Sequence, residues 1–195
     1  MRYIAFAKVS YDQWPLFLGN KAISLTGIIL LALSYTIGKI SILTDTDRGR
    51  QLVLIKFCGL FGFTLIAMHV FASLAVLTPE HFPKFYNDDR TMNFIGQFSM
   101  LMGVIALWCF SLPVITSIPN MFKAIGGERW LRGQRMGYIG LAISALHVGV
   151  MGITGWLKPL DWYGYMPPIT MVSALAAIIP LILKCRRNGS KNQTG

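Results

Sequence analysis

Three histidines, His69, His81 and His147, are the side chains in this chain best suited to bind a metal or exchange a proton near neutrality. His81 lies in a polar stretch between Pro79 and Pro83. The other two end long apolar runs, KFCGLFGFTLIAMH and RMGYIGLAISALH. The runs share a pattern: Gly59 and Gly137 stand ten residues before their histidines, Gly62 and Gly140 seven before, and Lys56 and Arg135 near the start. If both runs are helices rising 1.5 Å per residue, each histidine lies about 15–20 Å from its basic end. An ionisable side chain so deep in apolar surroundings is costly and a functional candidate by default. The plain alternative is a neutral imidazole hydrogen-bonded to a neighbouring helix.

Neither deep histidine has a Cys, Asp or Glu beside it, and that limits the metal chemistry. A catalytic zinc takes three protein ligands. A haem iron takes four ligands from its macrocycle and needs only two from the protein. Two matched histidines therefore point to one b-type haem between His69 and His147, with a structural pair or another metal as the alternatives. Gly59, Gly62, Gly137 and Gly140 remove bulk where a flat cofactor, or another helix, must come close.

A second group lies near the starts of the two histidine runs. Lys56, Arg132, Gln134 and Arg135 have the chemistry to bind the phosphates of a nucleotide cofactor such as FAD. On composition alone the plainer reading is preferred: cations that set topology and snorkel to the membrane surface. Phe110 and Trp108 fall towards the inner part of the third apolar run, placed either to line a gap between two cofactors or simply to pack. Lys84, Arg90 and Lys158, in other connections, could attract an anionic substrate such as a ferric chelate, although acids are interspersed with them. Met68, Met100, Met102 and Met151 read as filler rather than copper ligands. Cys58, Cys109 and Cys185 are odd in number and form no CxxC, so neither a disulfide framework nor a zinc site is expected. The chain contains no GxGxxG after a strand, no Walker motif and no nucleophile elbow, so electrons would have to come from a partner or a diffusible reductant.

The elements that must hold these residues are legible from hydropathy. Of 195 residues, 54% are hydrophobic and 13% charged, about half the charged share of a typical soluble domain, and the mean hydropathy is +0.54. Five stretches are long enough for roughly 20 helical residues across the hydrocarbon: Leu16–Ile40, Leu52–Leu77, Asn93–Ile115, Met136–Leu157 and Pro167–Leu183. They are too long for barrel strands, and unpaired backbone is not tolerated in lipid, so the expected fold is an all-α, multi-pass membrane bundle of five helices. Residues 1–15 form an N-terminal segment without the marks of a signal peptide. Residues 16–187 form the membrane domain, and residues 188–195 a basic polar tail.

The +10 formal charge is concentrated in connections, which reads as topology and attraction to anionic lipid, not nucleic-acid binding. Twelve of the 18 Lys and Arg lie around the first and third connections and after the last helix. The positive-inside rule then puts the C-terminus in the cytoplasm and the N-terminus outside, with a cell membrane as the expected location.

On these residues the chain resembles the membrane domain of the STEAP metalloreductases, within the wider ferric-reductase-like transmembrane group. NKAISLTGIILLALSY, Lys56-x-x-Gly59-x9-His69, LPVITSIPN with Thr116-Ser117-Ile118-Pro119, and Gly137-x9-His147 with the later Trp156, Pro167, Pro168 and Pro180 carry the likeness, over about residues 19 to 187. The resemblance implies one b haem on His69 and His147 near the outer face and FAD at the inner face. It implies electrons moving outward past Phe110 to ferric or cupric ions, and a homotrimer. Lys56 and Arg135 fall on the family's basic positions. The departures are equally specific. The family has six helices and most members carry an NADPH-oxidising domain; here five helices and no such domain are expected. A flavin-contacting glutamine of the family aligns with Gly133, next to Gln134. The donor is then a cytoplasmic flavin or NAD(P)H reductase, or free reduced flavin. A non-catalytic haem-binding subunit of a larger complex and a quinone-linked reductase subunit are the alternative readings.

The charge pattern carries a direct test. Green fluorescent protein fused after Gly195 should fluoresce and alkaline phosphatase at the same point should be inactive, while phosphatase fused within residues 78–90 should be active. The reverse result would invert the orientation.

Overall fold

A computed structural model describes residues 14–40 and 48–191 of the chain. Among them are five helices long and apolar enough to cross a membrane, joined to form an all-helical bundle. A π-helical turn, Trp14–Leu18, leads into α1, Gly19–Ile40. α2 is Arg48–Ala75, α3 Phe94–Thr116, α4 a single short turn at Met121–Ile125, α5 Gly127–Trp156 and α6 Ile169–Lys191. The shortest spanning helix, α1, has 22 residues and so reaches about 33 Å, enough for the hydrocarbon of a bilayer.

Most segment ends agree with the hydropathy reading, and the differences have local causes. α5 starts at Gly127, nine residues before Met136, because GERWLRGQR continues as a helix. Its charges lie beyond the apolar span, and Glu128 pairs with Arg132 one turn on at 3.4 Å. α6 starts after Pro167 and Pro168, the latter accepting the first helical amides at its carbonyl (Met171 N, 2.9 Å). It continues to Lys191, so much of the expected polar tail is helical. The N-terminal segment up to Gln13, residues 41–47 and residues 192–195 lie outside the described residues.

The helices form a ring. α1 packs most closely on α2, and α3 on α5; α6 packs on α5 and α1, and α2 meets α3 only lightly. The two histidine helices, α2 and α5, therefore face each other across the bundle instead of packing side by side. Close approach within the first pair depends on glycine. A Cβ at Gly62 would lie 3.0 Å from the Gly27 carbonyl oxygen and 3.0 Å from the Leu31 amide of α1. Backbone atoms cannot swing aside, so small residues are what allow this crossing. In the second pair, Gly140 receives the ring of Phe110, 2.8 Å from where a Cβ would stand.

One cluster fills the bundle centre: Ile28 and Leu31 from α1, Ala106 and Phe110 from α3, Leu141 from α5 and Ala177 from α6. One end of the bundle, where α1, α3 and α6 finish and α2 and α5 begin, carries Lys56, Lys123, Arg129, Arg132, Arg135 and Lys184; it is called the basic end below. At the opposite end, residues 76–93 fold into a braced loop. Tyr86 donates to the Leu77 carbonyl at 2.9 Å, and Asn93 caps α3 by accepting from the Gly96 amide at 3.0 Å. Asp89 accepts from the Thr91 hydroxyl (2.6 Å) and amide (2.9 Å), which hold its carboxyl below the usual carboxylate range.

Gly62→Ala should therefore lower stability by about 1–3 kcal/mol, the usual cost of overpacking, relative to Gly155→Ala. The second change has the same effect on helix propensity, but its new Cβ meets nothing within 4 Å. Unfolding of the two variants in detergent or bicelles checks the difference; equal stabilities would remove the close crossing from the account.

Candidate functional site

The two deep histidines line one cavity in the half of the bundle opposite the basic end. His69 belongs to α2 and His147 to α5, so the cavity takes one imidazole from each of two helices that do not pack side by side. Between them the walls are apolar: Ile28, Ile66, Val70, Met100, Val104 and Val148. Leu77, Phe82 and Phe85 line it from the loop side. No carboxylate lines the cavity among the described residues; Lys21 is its one formal charge, with Nζ 3.5 Å from the Phe17 ring centroid.

Each ring has its Nδ1 engaged by the helix that packs most tightly on its own. His147 Nδ1 lies 2.7 Å from the Ser99 carbonyl oxygen of α3, with the Ser99 hydroxyl 3.2 Å away. A carbonyl only accepts, so Nδ1 carries the proton and Nε2 keeps its lone pair. Gly103, one turn along α3, makes the approach possible: a Cβ there would stand 3.2 Å from His147 Cε1. His69 Nδ1 lies 2.6 Å from Asn20 Oδ1 of α1. Asn20 is buried, and its Nδ2 donates to Ser73 Oγ at 2.9 Å. That donor assignment turns Oδ1 toward His69, so this ring too is protonated at Nδ1. Both imidazoles therefore keep Nε2 as a donor atom to a ligand.

A second cavity lies at the basic end, lined by Tyr35, Lys56, Thr116, Asn120, Gln134 and Arg135 among others. The LPVITSIPN motif accounts for much of it. α3 ends there, and its last carbonyls need partners. Thr116 Oγ1 is 2.9 Å from the Leu112 carbonyl, Ser117 Oγ 2.7 Å from that of Pro113, and Trp130 Nε1 donates to the Thr116 carbonyl at 2.8 Å. Gln134 Nε2 donates to Thr116 Oγ1 at 2.8 Å and to the Pro113 carbonyl at 3.1 Å. Its amide N–H groups thus fasten α5 to the end of α3. Gly133 is packed so closely on Thr116, 2.6 Å from a would-be Cβ to Cγ2, that a side chain does not fit there without displacing it.

Of the four residues considered for nucleotide phosphates, Lys56, Gln134 and Arg135 line this cavity and Arg132 does not; Arg132 is exposed beside Glu128. Phe110, 2% exposed, lines the basic-end cavity and belongs to the central cluster. Ile28 and Ala106 of that cluster line the histidine cavity, so the cluster is the partition between the two spaces. Trp108 is 70% exposed on the outer surface and stands apart from the partition.

The four glycines of the shared pattern have helix and side-chain neighbours. Gly62 and Gly140 face α1 and Phe110 as described, Gly59 faces the Ser34 hydroxyl, and Gly137 lies under the Tyr35 hydroxyl. None of the four lines the histidine cavity, whose glycine is Gly103. Met100 and Met151 line that cavity, whereas Met68 is half exposed on α2. At the loop end Arg90 pairs with Glu80, while Lys84 and Lys158 are exposed.

Asn20, Ser73, Ser99 and Gly103 lie against the two histidines, and the sequence reading gave none of them a role. Asn20 had a signal, an amide at the start of an apolar run. Ser99 had none, because its main chain makes the shorter contact. No protein-family model matches this chain.

Proposed function

We propose that this chain binds one b-type haem through His69 and His147 and carries electrons across a membrane from the basic end to the loop end. The observation that carries the reading is the pair of imidazoles lining one apolar cavity, each with Nδ1 committed to a neutral acceptor and Nε2 left with its lone pair. Acceptors that bond the far ring nitrogen in this way fix tautomer and ring orientation in metal-ligating histidines. The donor set fits haem: among the described residues no three His, Cys, Asp or Glu gather to hold a metal by themselves, and a macrocycle supplies the remaining four ligands. When bound, haem would supply a one-electron iron couple.

The chain's own residues would do the rest. His69 on α2 and His147 on α5 would hold the iron. The apolar walls, with the Phe82 and Phe85 rings on the loop side, would limit the access of water. The cluster around Phe110 separates the site from the basic-end cavity, where the donor is received. Lys56 and Arg135 give that cavity the charge to attract an anionic reductant such as reduced flavin, or the acidic face of a reductase. With Gly133 packed on Thr116 and the Gln134 amide engaged, transient docking of a donor is favoured over a resident FAD. The acceptor is a ferric or cupric chelate at the outer face, with the C-terminus cytoplasmic. The resemblance to the STEAP metalloreductases supports the same direction of transfer.

The test is spectroscopic. Protein purified from haem-replete cells should give a low-spin reduced-minus-oxidised spectrum at about one haem per chain. His69→Ala and His147→Ala should abolish it, and Gly103→Leu, which crowds His147, should weaken or abolish it. In proteoliposomes, the same preparation with external ferric chelate and internal reduced flavin should show chelate reduction lost in either histidine variant. Haem-free wild-type protein would overturn the reading and leave the histidines as a structural pair.

A further inference from the structure

The two histidines are held by acceptors of different kinds. His147 gives its Nδ1 proton to a main-chain carbonyl, which no substitution removes. His69 gives its proton to a side chain, the amide of Asn20, across 49 positions of sequence. Asn20 is 6% exposed, the second residue of α1, and is held in turn by Ser73 on the turn after His69. Ser73 Oγ itself approaches His69 Nδ1 to 3.4 Å. The amide thus bridges hydroxyl and imidazole: Nδ2 donates to Ser73 Oγ while Oδ1 accepts from His69 Nδ1–H, so the orientation of the amide fixes the tautomer of the ring.

We propose that Asn20 is the positioning residue of His69, fixing its ring orientation and Nδ1–H tautomer and thereby setting the electron-donating strength of that ligand. The inference rests on the haem reading. An acceptor on Nδ1–H pushes electron density toward Nε2, and a more basic ligand favours ferric over ferrous iron. A neutral amide at 2.6 Å gives an intermediate push: more than no acceptor, less than a carboxylate. The residue at position 20 is then a control on the redox potential at one side of the iron, while the Ser99 carbonyl keeps the other side constant.

An interhelical hydrogen bond with a purely structural role would hold α1 on α2 but leave the potential unchanged. The experiment separates the two. Wild-type protein, Asn20→Leu, Asn20→Asp and Ser73→Ala are purified with haem, and midpoint potential, ferric EPR g-values and haem retention are measured. Asn20→Leu should raise the potential and weaken haem retention by roughly 10–100-fold, the usual effect of losing such a partner. If ferric haem loses tenfold more affinity than ferrous, the rise is about 59 mV for this one-electron couple. Asn20→Asp should retain haem and shift the potential in the opposite direction. Ser73→Ala should move it in the same direction as Asn20→Leu, by less.

Wild-type haem at one per chain, with Asn20→Leu at the wild-type potential and g-values, would overturn the inference and leave the haem reading standing. Haem-free wild-type protein would overturn both. If Asn20→Leu does not fold, Asn20→Asp decides: a lowered potential supports the role, and an unchanged one refutes it.

Discussion

An N–H group inside hydrocarbon has no water to bond, so it must find an acceptor in the protein. That constraint governs how the two histidine helices are placed. A single imidazole on α2 or α5 would carry its Nδ1 proton into an apolar interior at a cost of several kcal/mol if unpaired. Each is served from the helix its own helix grips most closely: α1 brings Asn20 to His69, and α3 brings the Ser99 carbonyl to His147. The bundle is in this sense two histidine-bearing pairs set face to face, with α6 closing the ring against α5 and α1. The tight crossings at Gly62 on Gly27 and of Phe110 on Gly140 belong to the same requirement, because acceptor and ring meet only if the helices of each pair come close.

The space the pairs leave between them divides by chemistry. Toward the loop end the facing side chains are mainly apolar, with the two rings and a few hydroxyls such as Ser24, Ser144 and Ser173 among them. Toward the basic end, helix α3 terminates, and the carbonyls of its last turn accept from Ser117, Trp130 and Gln134. A helix end surrounded by other helices needs such partners, so the basic-end cavity is polar for reasons of fold before any ligand is considered. Phe110 and its neighbours stand between, buried almost completely. The arrangement places a polar, cationic cavity and a mainly apolar one within one bundle of about 30 Å.

Hydropathy alone exposed the five helices, since spanning a bilayer demands length and apolarity that nothing else in such a chain requires. It failed at ends where the bilayer no longer dictates composition. GERWLRGQR looks like a connection, yet continues α5 into the polar zone, where charges cost little. The histidines were legible because an ionisable group at depth is rare, and the repeated spacing paired them. The glycines at the same spacing were legible as places of close approach, but period and spacing cannot say what approaches. Three of the four meet side chains and one meets backbone, none of them in the histidine cavity. Ser99 and Gly103 lay beyond reach for a deeper reason. One acts chiefly through a carbonyl that every residue has, and the other through a missing side chain, so neither leaves a chemical mark on the sequence.

The acceptors at the two rings are both neutral, and no described carboxylate lines their cavity. Where a histidine ligand donates to a carboxylate, the added negative charge offsets the positive charge of an oxidised metal. Here the offset is confined to dipoles, in surroundings where charge is poorly solvated. A bound ferric haem in this cavity would be stabilised less than one flanked by carboxylates, which favours the reduced state and so a higher potential. An electron entering from the basic end would then find a ready acceptor. On the haem reading it would leave only for an acceptor of still higher potential, so the neutral acceptors on the two rings would limit which partners can serve as well as support the fold.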